Sequence, residues 1–280
     1  MERRQIKRFW QRLALVSALG FSYPVAAAPM DAARIYARIW LQGPYQAAAD
    51  SMVRTPIYKS ILDTLRRDWN SGFLSRDLTS PLTKAVPRAL DFILVYLRST
   101  EDEGQVVSRN IAVLGTDGFL YDLRGDPGVP MNVRNGTYFI VLQHRNHLGV
   151  QSRSPVLTST LQSNLQGQFY DFTDLNNCYG ADSWQFNPPL VLLEKNVYGL
   201  YAGNTNGSIG IEAIAGVSLS TWPKIIASLD RVAIQKENGD QPAYTRADAN
   251  LNGVVVFAID YALVQINSGT AAEVPFPLTP

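Results

Sequence analysis

Four stretches of the chain run apolar, or alternate apolar with polar, at strand length: residues 34–41 (RIYARIWL), 90–97 (LDFILVYL), 106–114 (VVSRNIAVL) and 137–144 (TYFIVLQH). They are rich in Ile, Val, Tyr and Phe, whose branched or flat side chains fit a pleated, half-buried surface. Shorter candidates lie at 119–123, 155–161 and 168–172. Turn signals separate them: Thr116-Asp117-Gly118, Gly125-Asp126-Pro127-Gly128 and Asn135-Gly136, the last supplying the positive φ that a tight hairpin turn requires. About seven short strands with turns every 8–12 residues or so predict a mainly β fold, an antiparallel β-sandwich of the immunoglobulin or prealbumin kind, over 28–173. One helix is predicted over 57–69, where Ile57, Ile61, Leu62, Leu65 and Trp69 share a face.

After Phe172 the texture changes. Asn, Pro, Gly and Ser crowd the next stretch, which reads as a linker or long loop over 174–196. From 197 two segments resemble each other. Asn204-Thr205-Asn206-Gly207-Ser208 is followed at the eighth position by Ile211, and Asp248-Ala249-Asn250-Leu251-Asn252 by Val255 at the same position. Each is trailed by a helix-capable apolar pattern, the second stopping at Asn267-Ser268-Gly269. Such an internal repeat over 197–270 predicts a small α-containing region of two loop–helix units, followed by a Pro-rich tail, 271–280.

Oxygen side chains at positions one, three and five, with an apolar residue at eight, are the arrangement that wraps a hard cation such as Ca²⁺. In the second loop the ligands are Asp248, Asn250, Asn252, the carbonyl of Val254 and the nearest downstream carboxylate, Asp260, with Gly253 at the bend. Position twelve itself is Ile259. The first loop offers Asn204, Asn206, Ser208 and Glu212 and has Ile209 where the bend glycine belongs. Few carboxylates mean little Coulomb attraction, so the second loop is expected to bind Ca²⁺ weakly, with a Kd of about 10⁻⁴–10⁻³ M. In the first, Asn and Ser side chains are expected to satisfy the loop backbone themselves.

The amino terminus changes the picture of location. Residues 1–12 are basic, 13–21 (LALVSALGF) are apolar, and Pro24-Val25-Ala26-Ala27-Ala28 offers small residues for cleavage, the order of a secretory signal over 1–27. The formal net charge of +1 includes five basic residues of that leader against Glu2, so the remainder carries about −3, which argues against a nucleic-acid partner. No later apolar run reaches membrane length. Cys178 is the single cysteine, so no intramolecular disulfide forms, and a buried apolar role is expected for it.

Candidate chemistry is sparse. His144 and His147 are the only histidines, expected to brace a strand end by bonding exposed backbone. There is no G-x-S-x-G, no Walker-type phosphate loop and no dinucleotide fingerprint, and Glu101-Asp102-Glu103 reads as a solvated hairpin. No catalysis is expected. Trp40, Trp69, Trp184 and Trp222 with 13 tyrosines are candidates for a sugar-stacking platform, against the commoner role of core packing.

The paired loops, about 45 residues apart, resemble dockerin-type repeats of secreted and cell-surface bacterial proteins. The segment 89–150, with LDFILVYLR, GTYFIVLQHRNHLG and the later YGLYAGNTNG, is similar to sandwich modules labelled hemagglutinin-like that precede such repeats, and RIYARIWLQGPY resembles their opening strand. The resemblance implies a non-catalytic surface protein for adhesion, attachment or extracellular assembly, whose partners are other surface proteins, copies of itself or glycans. Two alternatives stay open: a filament or sheath subunit assembled by strand exchange through RIYARIWL or the tail EVPFPLTP, and a carbohydrate-binding module of a polysaccharide-degrading system.

Overall fold

The computed structural model describes residues 31–53, 88–101, 105–161, 167–182, 187–205, 226, 228–239 and 246–271. The leader, the helix expected over 57–69, Trp69, Trp184, Trp222, most of the first loop (Asn206, Ser208, Glu212) and the tail beyond Ala271 lie outside them. Among the described residues the chain is mainly β, a curled antiparallel sheet with two short helices near its carboxyl end.

The first strands, β1 (Ala32–Ile35), β2 (Ala37–Arg38), β3 (Tyr45–Gln46) and β4 (Ser51–Met52), are short. The predicted strand RIYARIWL is therefore broken. β1 pairs antiparallel with β8 (Val129–Arg134), while β2 pairs in parallel with β12 (Tyr170–Asp171). Each half is thus paired within the chain, in a two-stranded sheet of its own, and Ala33, Ile35, Ala37, Ile39 and Leu41 are buried.

β5 (Ala89–Arg98) is the central strand. β6 (Val106–Gly115) and β9 (Thr137–His144) flank it, and the sheet runs on to β7 (Leu120–Tyr121) at one edge and to β10 (Val150–Gln151) and β11 (Val156–Leu157) beyond β9. Both faces of β5 are buried, so it reads as a near-continuous apolar run instead of alternating. Side chains of β6 tie the separate β1–β8 pair to this sheet: Asn110 Nδ2 donates to the Pro130 carbonyl at 2.7 Å, and Ser108 Oγ accepts from Asn132 N at 3.1 Å.

Two expectations about turns separate here. Thr116-Asp117-Gly118 makes the β6–β7 hairpin, with Gly118 at φ +78° against Trp40. Asn135-Gly136 makes none: β8 pairs with β1 and β9 with β5, so the chain crosses between layers there and neither residue takes a positive φ. The backbone groups that a hairpin would pair go elsewhere, Asn135 N to the Asp31 carbonyl and Gly136 N to Thr158 Oγ1.

The stretch expected as a linker carries structure: a 3-10 turn at Leu175–Asn177 and β13 (Val191–Glu194), which forms a ribbon with β14 (Val197–Gly199). Cys178 is buried, with its thiol 3.7 Å from the Asp174 carbonyl, and burial pushes that thiol far above its ordinary pKa.

α1 (Ser228–Glu237) and α2 (Phe257–Ile266) complete the described elements. α2 stops at the expected place: Asn267 caps it and Gly269 takes φ +87°. A small core of Leu148, Ile226, Ile234, Ala247, Val255 and Val264 lies beneath these helices, and the larger core fills the sheet. The two exchange a residue. Leu148 leaves the β9–β10 connection for the small core, and Leu251 leaves the second loop for the large one.

Candidate functional site

The second loop closes on its own backbone. Asp248 is buried, and its two carboxylate oxygens accept from Asn252 N at 3.0 Å and Gly253 N at 2.9 Å. Asn250 Oδ1 accepts from Asn252 N at 2.9 Å, and Asn252 Oδ1 from Val254 N at 2.9 Å. These are Asx turns in series, which explains why Asp and Asn stand at every second position. Gly253 takes φ +84° at the bend, as its position in the loop requires. Val255, the eighth residue, is fully buried in the small core.

Asp260 joins them from the first turn of α2. Ile259, at position twelve, is half exposed (51%), while Asp260 turns inward and is buried. One carboxylate oxygen accepts from Ala249 N at 2.9 Å and Asn250 N at 3.3 Å, and the other from Val256 N at 2.8 Å. Desolvation raises both carboxyls above their ordinary range, Asp248 to about 7, against the lowering pull of the N–H groups they accept from and, for Asp248, of Arg145. Two carboxylates and two amide oxygens fit a divalent cation in kind. The N–H groups already on them make the site a weak one, since a cation must share these oxygens.

Sequence reasoning does not find what holds this loop to the sheet. Leu251, between two ligand positions, adopts φ +60° and is buried in the large core. A left-handed leucine is costly, and it persists here because burial over-determines it. Gly43, at φ +104°, lies so close to the loop that a Cβ would meet the Asn250 Cα at 3.0 Å. Asn146 Nδ2 donates to the carbonyls of Asp248 at 2.7 Å and Arg246 at 3.3 Å. Asn267 Nδ2 bonds Gln42 Oε1 and the Ala202 carbonyl.

Behind Asn146 lies a buried polar cluster. Asp91 on β5 accepts from Arg145 Nε at 2.9 Å, and His144 Nε2 lies 3.3 Å from the same oxygen. The register explains the meeting: His144 faces Ile93 across the β5–β9 pair, and Asp91 is two residues along on the same face. His144 Nδ1 and His147 Nδ1 are 2.9 Å apart, and His147 Nε2 is 2.9 Å from the Gln42 carbonyl. Asn146 Oδ1 lies 2.8 Å from His147 Nδ1. Oxygens at both nitrogens suit a protonated ring. Burial opposes the charge and wins, holding His147 well below its ordinary value, with the like charges of His144 and Arg145 adding to it. His147 thus bonds backbone as expected, at the Gln42 carbonyl, but both histidines are buried and not set on exposed backbone, which corrects that part of the expectation.

Of the first loop, Asn204 is described. It is buried, and neither of its side-chain polar atoms has a hydrogen-bond partner among the described residues. Trp40 is 1% exposed, stacked under the Arg38 guanidinium at 4.5 Å and tilted against Tyr45, which makes it core and not a sugar platform. No group of three or more His, Cys, Asp and Glu suited to a metal occurs among the described residues, and no described helix is long and apolar enough to cross a membrane.

No family model matches the chain, and no curated protein does. Among solved structures, a chain from an N-terminal interface mutant of a type II cohesin–X-dockerin complex of Acetivibrio cellulolyticus is 16% identical. The match covers 71% of this chain and 91% of that one, at a TM-score of 0.32. A chain from the C-terminal interface mutant of the same kind of complex is 13% identical over 86% of this chain and 97% of that one, at a TM-score of 0.34. Superpositions this loose establish no common fold.

Proposed function

We propose that the protein is a non-catalytic interaction module that works outside a bacterial cell, in adhesion, attachment or assembly, and that a weak Ca²⁺ site in its second loop braces the surface it presents. The observation that carries this reading is the loop 248–254, a run of alternating side-chain oxygens around Gly253, fastened to the sheet by Leu251 and Asn146. The groups an enzyme would draw on point the same way. His144, His147 and Cys178 are buried and engaged by their neighbours. Among partner classes, other surface proteins and copies of this chain are favoured over glycans, because Trp40 belongs to the core.

Thermal unfolding in EDTA and then in about 10 mM CaCl₂, with Mg²⁺ as control, tests the cation. A site with Kd of about 0.3 mM adds about 2 kcal/mol. For a chain of this size that is an upward shift in Tm of about 4–8 °C. Asp248→Ala should abolish the shift. Equal melting with and without Ca²⁺ would make the loop a purely structural turn.

Assembly by strand addition is the second reading, and the β13–β14 ribbon favours it. Among the described residues β13 pairs with β14 alone, and Leu192 upon it is 57% exposed. Fibres of pure protein under negative stain are expected on this reading, and a monomer at every concentration would count against it.

A further inference from the structure

The connection between β7 and β8, residues 122–128 (DLRGDPG), is held far more firmly than an ordinary surface turn. Asp122 is 8% exposed, and one of its oxygens accepts from Arg124 N and Asp126 N, both at 2.9 Å. The other accepts from the Arg34 guanidinium at 2.8 Å, and Arg34 reaches on to the carbonyls of Pro127 at 2.8 Å and Gly128 at 3.1 Å. Main-chain bonds from Gly125 N to the Asp122 carbonyl, Asp122 N to Asp126 and Gly128 N to Leu120 close the loop. Gly125 and Gly128 take φ +93° and +79°, and a Cβ on Gly128 would come within 2.6 Å of the Tyr36 ring.

All of this fixes a backbone whose own charged side chains do nothing internal. Arg124 and Asp126 are exposed, and among the described residues neither side chain has a hydrogen bond or ion pair. A guanidinium and a carboxylate thus stand on a rigid tip, one glycine apart. Ordering that tip costs a partner little entropy, because folding has already ordered it.

We infer that the loop is a docking site for a receptor that reads this charge pair: a protein head with an exposed divalent cation to take the Asp126 carboxylate and an acidic pocket to take Arg124. The chemistry fits both ends. A small divalent cation in octahedral geometry accepts one carboxylate oxygen while keeping its waters, and a guanidinium matches a carboxylate pocket through its fixed fork of donors. The inference rests on the exterior location proposed above and not on the cation loop.

The probe is a purified integrin ectodomain, a receptor of this build, passed in Mn²⁺ over the immobilised full chain. Saturable binding is expected, competed by a linear Arg-Gly-Asp-Ser peptide and not by its Arg-Gly-Glu-Ser analogue. Asp126→Glu keeps the charge and moves it by one methylene, and it should weaken binding by at least about tenfold. Its melting curve should match the wild type, since the exposed side chain makes no hydrogen bond or ion pair among the described residues. Absence of saturable binding, or binding that Asp126→Glu leaves within about twofold, overturns the inference. Because the purified chain is used, a negative result here leaves the Ca²⁺ melting experiment and the fibre experiment to decide the wider reading.

Discussion

Asp91 shows how much one buried side chain can organise. It sits in the middle strand of the sheet, is fully buried, and accepts from Arg145 with the oxygen that lies 3.3 Å from His144 Nε2. Asp91→Ala strips that acceptor from a guanidinium that is itself almost fully buried, and a loss of about 3 kcal/mol or more is expected in urea unfolding. Asp122→Ala removes the acceptor of two backbone N–H groups and one of the three partners of Arg34, and should cost about 1–3 kcal/mol by the same measurement. His147 supplies a pH dependence. Its pKa is lowered in the folded state, so the unfolded chain binds more protons, and stability falls as pH drops through about 6.5. Asp248 acts oppositely. Its pKa is raised to about 7, the folded state holds the extra proton, and stability falls as pH rises from about 4 toward 7. Denaturant titrations at pH 5.5 and 7.5 separate the two: His147→Gln should remove the loss on the acid side and leave the opposing slope in place.

At the scale of elements, local patterns were readable and long-range pairings were not. The turn at Gly118, the bend at Gly253, the buried Val255 and the stop at Asn267–Gly269 each depend on residues within a few positions, and the sequence signals them correctly. Asn135-Gly136 is the instructive failure. Its local chemistry suits a hairpin, but β1 and β5 compete for the two strands it joins and win them. The Asp91–Arg145 bond spans 54 residues and His147–Gln42 spans 105, so only the strand register creates them. Leu251 was invisible for a different reason: a spacer between ligand positions is expected to point to solvent, and it is the plug. Gly43→Ala tests the seam between strand and loop. With φ +104° and the Asn250 Cα 3.0 Å from the new methyl, it should destabilise by about 1–3 kcal/mol and lower the Tm without altering the far-ultraviolet spectrum.

At the scale of the whole molecule, the exchange of Leu148 and Leu251 between the two cores joins the sheet and the helical region more tightly than a tether would. A single calorimetric transition is expected from the wild type. Leu251→Ala opens a cavity at the seam and should cost about 2–5 kcal/mol. The resulting trace should broaden or split as the helical region melts first, and one unchanged sharp transition would show that the seam does not couple the parts. Cys178 has a use at this scale that its chemistry does not suggest. The sole thiol, buried within the segment 170–182, is out of reach of a soluble reagent while that segment stays packed. Its modification rate in native buffer is therefore a clock on the lifting of that segment, and comparison with the global melt tells whether this corner of the protein breathes alone or only with everything else.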